Sequence, residues 1–203
     1  MLPAVYLITG VTPGDDEAWL RTLEGALGAG ARLVQMRRHD LDDDGYAALA
    51  ARALALCRQA GALLLLNRDP ELARRLGADG VHLTAARLAA CRERPLPPPF
   101  LVAASCHDTE DLRRAAAVEA DFAVLSPVLP TASHPGASTL GWERFAALAA
   151  AALLPVYALG GVGPDDLDTA RRHGGHGIAG ISAFWPGKKR QDAGHAPRHP
   201  SAE

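Results

Sequence analysis

No two cysteines in this chain form a CxxC pair. Cys57, Cys91 and Cys106 are odd in number and widely separated. Neither a zinc site nor a disulfide framework is therefore suggested. No apolar run approaches the roughly 20 residues of a membrane-spanning helix, so no membrane partner is expected. The opening segment MLPAVYLITG has no basic region and no small-residue cleavage site, so no secretory signal is read and cytoplasmic residence is the expectation. A surplus of one charge sign is also missing. A net charge of −2 gives no general reason to expect nucleic acid. What remains is a chain of 203 residues, 48% hydrophobic, which fits one soluble domain of the larger single-core kind.

Short apolar runs alternate with longer Ala/Leu/Arg patterns. Strands are expected over 4–8, 32–36, 63–66, 80–83, 100–105, 121–125, 154–159 and 177–181. Helices are expected near 15–29, 43–60, 70–77, 84–91, 108–118, 140–152 and 164–173. The second is the clearest, because Tyr46, Leu49, Ala53, Leu56 and Cys57 recur at helical spacing and Gly61 stops it. Eight strands, each followed by a helix or a long loop, make an α/β chain of the (β/α)8 TIM-barrel type. An open doubly wound sheet is the alternative. Closure is favoured because a barrel leaves no edge strand to cover. The barrel is assigned to residues 1–186. From Gly187 to Glu203 the sequence loses its apolar period and turns to Pro, Gly and charge, which predicts a disordered tail.

A barrel of this kind places its active site at the C-terminal ends of the strands. Those ends carry Thr9, then Gln35, Arg37, Arg38 and His39, then Asn67, Arg68 and Asp69. His82, Thr84, Ser105, Cys106 and His107 follow, and then the loop SPVLPTASHPGAST with Thr131, Ser133 and His134. Gly160, Gly161, Ile181 and Ser182 close the circuit. Polar, often basic and interspersed with glycine, this set suits a phosphorylated small molecule. The segments ALGGVGPDDL and GISAF, each expected to lead into a helix, fall after strands seven and eight. In barrels those two loops recurrently hold phosphate, because glycine lets backbone N–H groups approach the oxygens and a helix N-terminus favours negative charge. Cys106 and His107 are adjacent and so point to opposite faces of a strand, which argues against a thiol nucleophile and for a packed Cys106. His82 sits among apolar residues, where a satisfied interior histidine is at least as natural as a ligand.

Taken in order, VYLIT, VQMRRHD, LLLLNRD, LGADGVHL, ASCH, ADFAVLSPVLPTASHPG, PVYALGGV and GIAGISAF resemble the thiamine phosphate synthase/TenI family from about Val5 to Phe184. The chain is especially similar to the TenI-like domain found fused behind Nudix hydrolases. A (β/α)8 fold is what the resemblance implies, with a role in thiamine biosynthesis or salvage and a phosphorylated thiazole or pyrimidine as ligand. A second copy of the chain or a Nudix protein is the macromolecular partner it suggests. In the synthases of this family a hydroxymethylpyrimidine diphosphate loses pyrophosphate, and a thiazole phosphate nitrogen captures the pyrimidine cation. By position, Gln35, Arg37 and His39 would hold the diphosphate with Asn67 and Arg68 beside them. Ser105 would meet the pyrimidine. Thr131, Ser133 and His134 would line the meeting point of thiazole and leaving group. Gly160, Gly161, Ile181 and Ser182 would hold the thiazole phosphate.

The resemblance also implies Mg²⁺ as the cofactor of the synthases, yet the family's two Mg²⁺-ligating aspartates align with Arg68 and Arg87. Two lysines of the pattern align with His39 and His134. Arginine cannot ligate Mg²⁺, so no metal ligand is assigned in this chain. Two other functions suit the same pocket. One is a metal-free, thiazole tautomerase-like enzyme, whose family histidine aligns with Pro127 and whose acid–base role would pass to His107 or His134. The other is a non-catalytic phosphate-ligand sensor or partner domain.

Overall fold

Residues 1–12, 14–131, 136 and 138–185 are described by the computed structural model of the chain. Ser133, His134 and the segment 187–203, for which expectations were stated above, lie outside the described residues. Eight parallel strands close into a barrel in sequence order. They are β1 (Val5–Ile8), β2 (Leu33–Met36), β3 (Leu63–Leu66), β4 (Gly80–Leu83), β5 (Leu101–Cys106), β6 (Phe122–Leu125), β7 (Val156–Ala158) and β8 (Gly177–Gly180). Between them run α1 (Asp16–Gly28), α2 (Asp43–Gln59), α3 (Pro70–Leu76), α4 (Ala85–Ala90), α5 (Thr109–Ala117), α6 (Gly141–Ala151) and α7 (Leu167–Arg172). A single 3₁₀ turn, Pro164–Asp166, precedes α7. Among the described residues, no helix is long and apolar enough to cross a membrane.

Local chemistry sets the helix starts at the mouth of the barrel. Asp15, Asp42, Asp69, Thr84 and Asp108 each accept a backbone N–H of the first turn of α1, α2, α3, α4 and α5. Such caps satisfy amides that have no partner within the helix. Closure follows from the register. β1 pairs with β2 on one side and with β8 on the other, Leu7 meeting both Val34 and Gly180.

The strands bury both faces, and alternation divides their side chains between two cores. Tyr6, Ile8, Leu33, Leu65, Ala103, Phe122, Val124, Tyr157 and Ala179 fill the barrel interior. Leu7, Val34, Met36, Leu64, Val81, Val102 and their like face the helices. The period of two therefore decides which polar residues can reach a ligand. Gln35 and Ser105 share the inward set, whereas Cys106 belongs to the outward one. One expected element differs. GISAF opens no α-helix among the described residues; Ile181–Trp185 form a single turn in which the Phe184 and Trp185 amides both donate to the Ile181 carbonyl. Pro186 comes next, and a proline disfavours helical backbone at the residue before it.

Candidate active site

Under the C-terminal mouth lies a layer of polar side chains drawn from five consecutive strands. Gln35 Nε2 stands 3.3 Å from the Tyr6 hydroxyl. That hydroxyl is 3.2 Å from His82 Nδ1, and His82 Nε2 is 2.8 Å from Ser105 Oγ. Asn67 at the end of β3 donates its amide to the His82 carbonyl at 2.9 Å. Tyr6 is fully buried, and Gln35, Asn67 and His82 are nearly so. Burial holds His82 neutral, its pKa pushed down to about 3, and the nearby positive charge of Arg37 acts in the same sense. Ser105, only half-buried, is the member of this layer that opens toward the mouth.

Positive groups stand on one side of this floor, at the ends of β2 and β3. Arg37 is exposed at the end of β2 and makes no ion pair among the described residues, while its backbone N–H is fixed by the Thr9 hydroxyl at 2.9 Å. The pKa of His39 is lowered, chiefly by burial and then by the charges of Arg37 and Arg68. Arg38 is turned aside, paired with Asp40 at 2.7 Å and lying over the Trp19 ring. Arg68 is committed as well. Its guanidinium lies 4.6 Å from the Tyr46 ring centroid and donates to the carbonyls of Arg38 and Leu41. It therefore ties the loop that carries Arg37 and His39 to the end of β3.

Two carboxylates approach Arg68 and Arg87. Asp69 Oδ1 caps α3, and Oδ2 lies 3.9 Å from Arg87. Asp43, almost fully exposed, is 4.0 Å from Arg68. Among the described residues, no three His, Cys, Asp or Glu side chains gather as a metal set requires. Mg²⁺ prefers octahedral oxygen ligation with carboxylates. The described side chains form no all-protein magnesium cage, and an ion here would also need oxygens from substrate phosphate and water.

On the far side of the mouth, His107 is exposed, with Nδ1 2.8 Å from the Ser126 carbonyl. A carbonyl only accepts, so Nδ1 carries the hydrogen, and in the neutral ring the lone pair sits on Nε2. Cys106 packs outward with its thiol pushed up to about 12 by burial and the neighbouring acidic residues Asp111 and Asp108. Gly160 and Gly161 both take left-handed backbone, at φ 95° and 69°. A Cβ on Gly160 would lie 2.8 Å from Pro127, and one on Gly161 would lie 2.4 Å from the Pro130 carbonyl. The missing side chains thus let the loop after β6 pack against the loop after β7. Gly161 and Ser182 are exposed residues whose backbone N–H groups have no hydrogen-bond partner among the described residues. Thr131 is the last residue described before the centre of that loop.

Gln35, Asn67 and Ser105 are thus joined in one network through Tyr6, which the sequence reading left out, and His82, which it read as a satisfied interior histidine at least as readily as a ligand. Tyr6 reads as one more apolar strand residue, and His82 as a packed one. The available signal was parity: in GVHL, as in VYLI, the polar group falls on the inward register.

Comparison with known proteins agrees with this architecture. The family model described as thiamine monophosphate synthase matches residues 5–184. The thiamine-phosphate synthase of Chromobacterium violaceum is 38% identical over 190 residues, covering 91% of each chain. That of Thermus thermophilus is 36% identical over 189 residues, covering 91% of this chain and 90% of the relative. The solved thiamine phosphate pyrophosphorylase of Pyrococcus furiosus superposes with a TM-score of 0.71 at 25% identity, covering 88% of this chain and 85% of that one. With the match spanning every strand from β1 to β8, this chain belongs to the thiamine monophosphate synthase family.

Proposed function

We propose that this chain is a transferase of thiamine biosynthesis that joins a pyrimidine diphosphate to a thiazole phosphate. One observation carries the reading: Arg37, exposed and without a carboxylate partner among the described residues, lies close enough to the neutral floor of hydrogen-bonding groups to act on His82. Its missing partner is an anion, and phosphate suits the planar fork. Ser105 would meet the heterocycle. The Gly161 and Ser182 amides would hold the thiazole phosphate. In the reaction the bond from the pyrimidine methylene carbon to the diphosphate oxygen breaks, and a bond from that carbon to the thiazole nitrogen forms. Charge grows on the departing pyrophosphate, and fixed positive groups such as Arg37 stabilise it at that moment. His39 would lie beside it, neutral or charged as the ligand demands.

A second reading has its own observation. The Nε2 lone pair of His107 suits metal-free acid–base chemistry on a thiazole phosphate. One experiment separates the two. The full chain is incubated with hydroxymethylpyrimidine diphosphate and thiazole phosphate, with Mg²⁺ or with chelator, and thiamine phosphate is measured. Product is expected, and Arg37→Ala is expected to lower kcat/KM about tenfold or more, the scale of one lost charged hydrogen bond. Absence of product in both arms would remove the transferase reading and leave the acid–base one.

A further inference from the structure

Nothing in the proposed reaction uses His82, although it is the one titratable imidazole inside the barrel floor among the described residues. Its surroundings fix more than its position. The side-chain nitrogen of Gln35 has only hydrogens to offer, so the Tyr6 oxygen accepts at that 3.3 Å contact. The phenol then has its own hydrogen to give, and His82 Nδ1 lies 3.2 Å away. A neutral ring that accepts at Nδ1 carries its hydrogen on Nε2. That hydrogen points at Ser105 Oγ, 2.8 Å off. Ser105 therefore receives a hydrogen bond from below and has its own hydrogen left to give.

The backbone holds the chain of donors in place. Asn67 binds the His82 carbonyl, and β4 is registered against β5 with His82 opposite Ala103. The Tyr6 and His82 rings lie 5.8 Å apart between centroids. Burial keeps the imidazole neutral, so the order of donors and acceptors survives through the ordinary pH range.

We propose that His82 is a positioning residue that presets Ser105 as a hydrogen-bond donor, so that the site selects a ligand presenting a lone pair there, a ring nitrogen or a phosphate oxygen, over one presenting C–H or N–H. The inference rests on the reading that the mouth binds a phosphorylated heteroaromatic compound, but its central claim is tested without it. In the ¹⁵N-imidazole-labelled full chain, the His82 signal, identified by its loss in His82→Gln, should be that of the Nε2–H tautomer. The Nδ1–H tautomer would overturn the proposal, because it means that Gln35 turns its oxygen to Tyr6 and the whole order runs backwards.

Binding supplies the second arm, with inorganic pyrophosphate and free hydroxymethylpyrimidine as separate probes in calorimetry. Ser105→Ala should weaken one of them about tenfold, the scale of one lost hydrogen bond to a ligand. Whichever probe responds identifies the acceptor as a phosphate oxygen or a ring atom. His82→Leu should weaken that same probe, and His82→Gln should restore most of the loss, since its amide can donate to Ser105. The double variant His82→Leu/Ser105→Ala should bind no worse than Ser105→Ala alone. Full additivity, or no effect of Ser105→Ala on either probe, would overturn the proposal. If wild-type protein bound neither probe, the ligand reading would fall and the tautomer alone would decide the donor assignment.

Discussion

Two arginines divide the work at the mouth, and their packing separates them. Arg37 makes no ion pair among the described residues, whereas Arg68 spends its hydrogen bonds on the Arg38 and Leu41 carbonyls. Arg68 thus helps to shape the loop bearing Arg37. His82 carries a consequence for stability. An unfolded histidine titrates near 6.5, while His82 in the fold is held down to about 3. Between those values the unfolded chain binds the extra proton, so stability rises with pH there and is lost as pH falls from about 6.5 toward 3, by up to about 1.4 kcal/mol per unit. His82→Gln should flatten that part of a urea-unfolding series taken against pH. An identical slope in both proteins would show that other groups govern the acid limb.

At the scale of elements, the loops after β6 and β7 behave as one unit. Val128 and Leu129 donate backbone hydrogen bonds to the Leu159 and Gly160 carbonyls. Gly161 cannot take a side chain without striking the Pro130 carbonyl and straining left-handed backbone. Gly161→Leu should therefore lower the melting temperature and also weaken thiazole phosphate binding at least about tenfold, about 1.4 kcal/mol. Destabilisation with unchanged affinity would mean that the glycine serves loop packing alone and that the phosphate is held elsewhere. The pair reads from sequence as a phosphate turn. Its packing role depends on a loop some 30 residues earlier in the chain, which no local pattern reveals.

For the whole molecule, the question is where the folded unit ends. Trp185 is buried, stacks near Trp19 at 5.2 Å and donates to the Thr12 hydroxyl. It closes the barrel's last turn onto the loop after β1. Trp185→Ala should cost about 3–5 kcal/mol, as for other large buried aromatics. A chain ending at Pro186 should melt within a few degrees of the full one, because the remaining segment has no apolar period to offset its ordering entropy. A large loss of stability or ligand affinity on that truncation would show that the segment docks.

Strand number and the sequence positions of the strand ends were set by the sequence itself. Apolar runs of four to six residues, alternating with helical periods that begin at Asp15, Asp42, Asp69 and Asp108, admit few other arrangements. Local chemistry carries that information, since caps and periodicity act within a few residues. Which polar groups meet was decided only in three dimensions. Tyr6 and His82 are 76 positions apart, and Gln35 and Ser105 lie on non-adjacent strands. The direction of Arg68 was equally hidden, because it depends on carbonyls of Arg38 and Leu41 about 30 residues away. Charge can be read residue by residue, but the partner that consumes it is chosen by closure of the barrel, which brings strand ends together at distances no sequence spacing encodes.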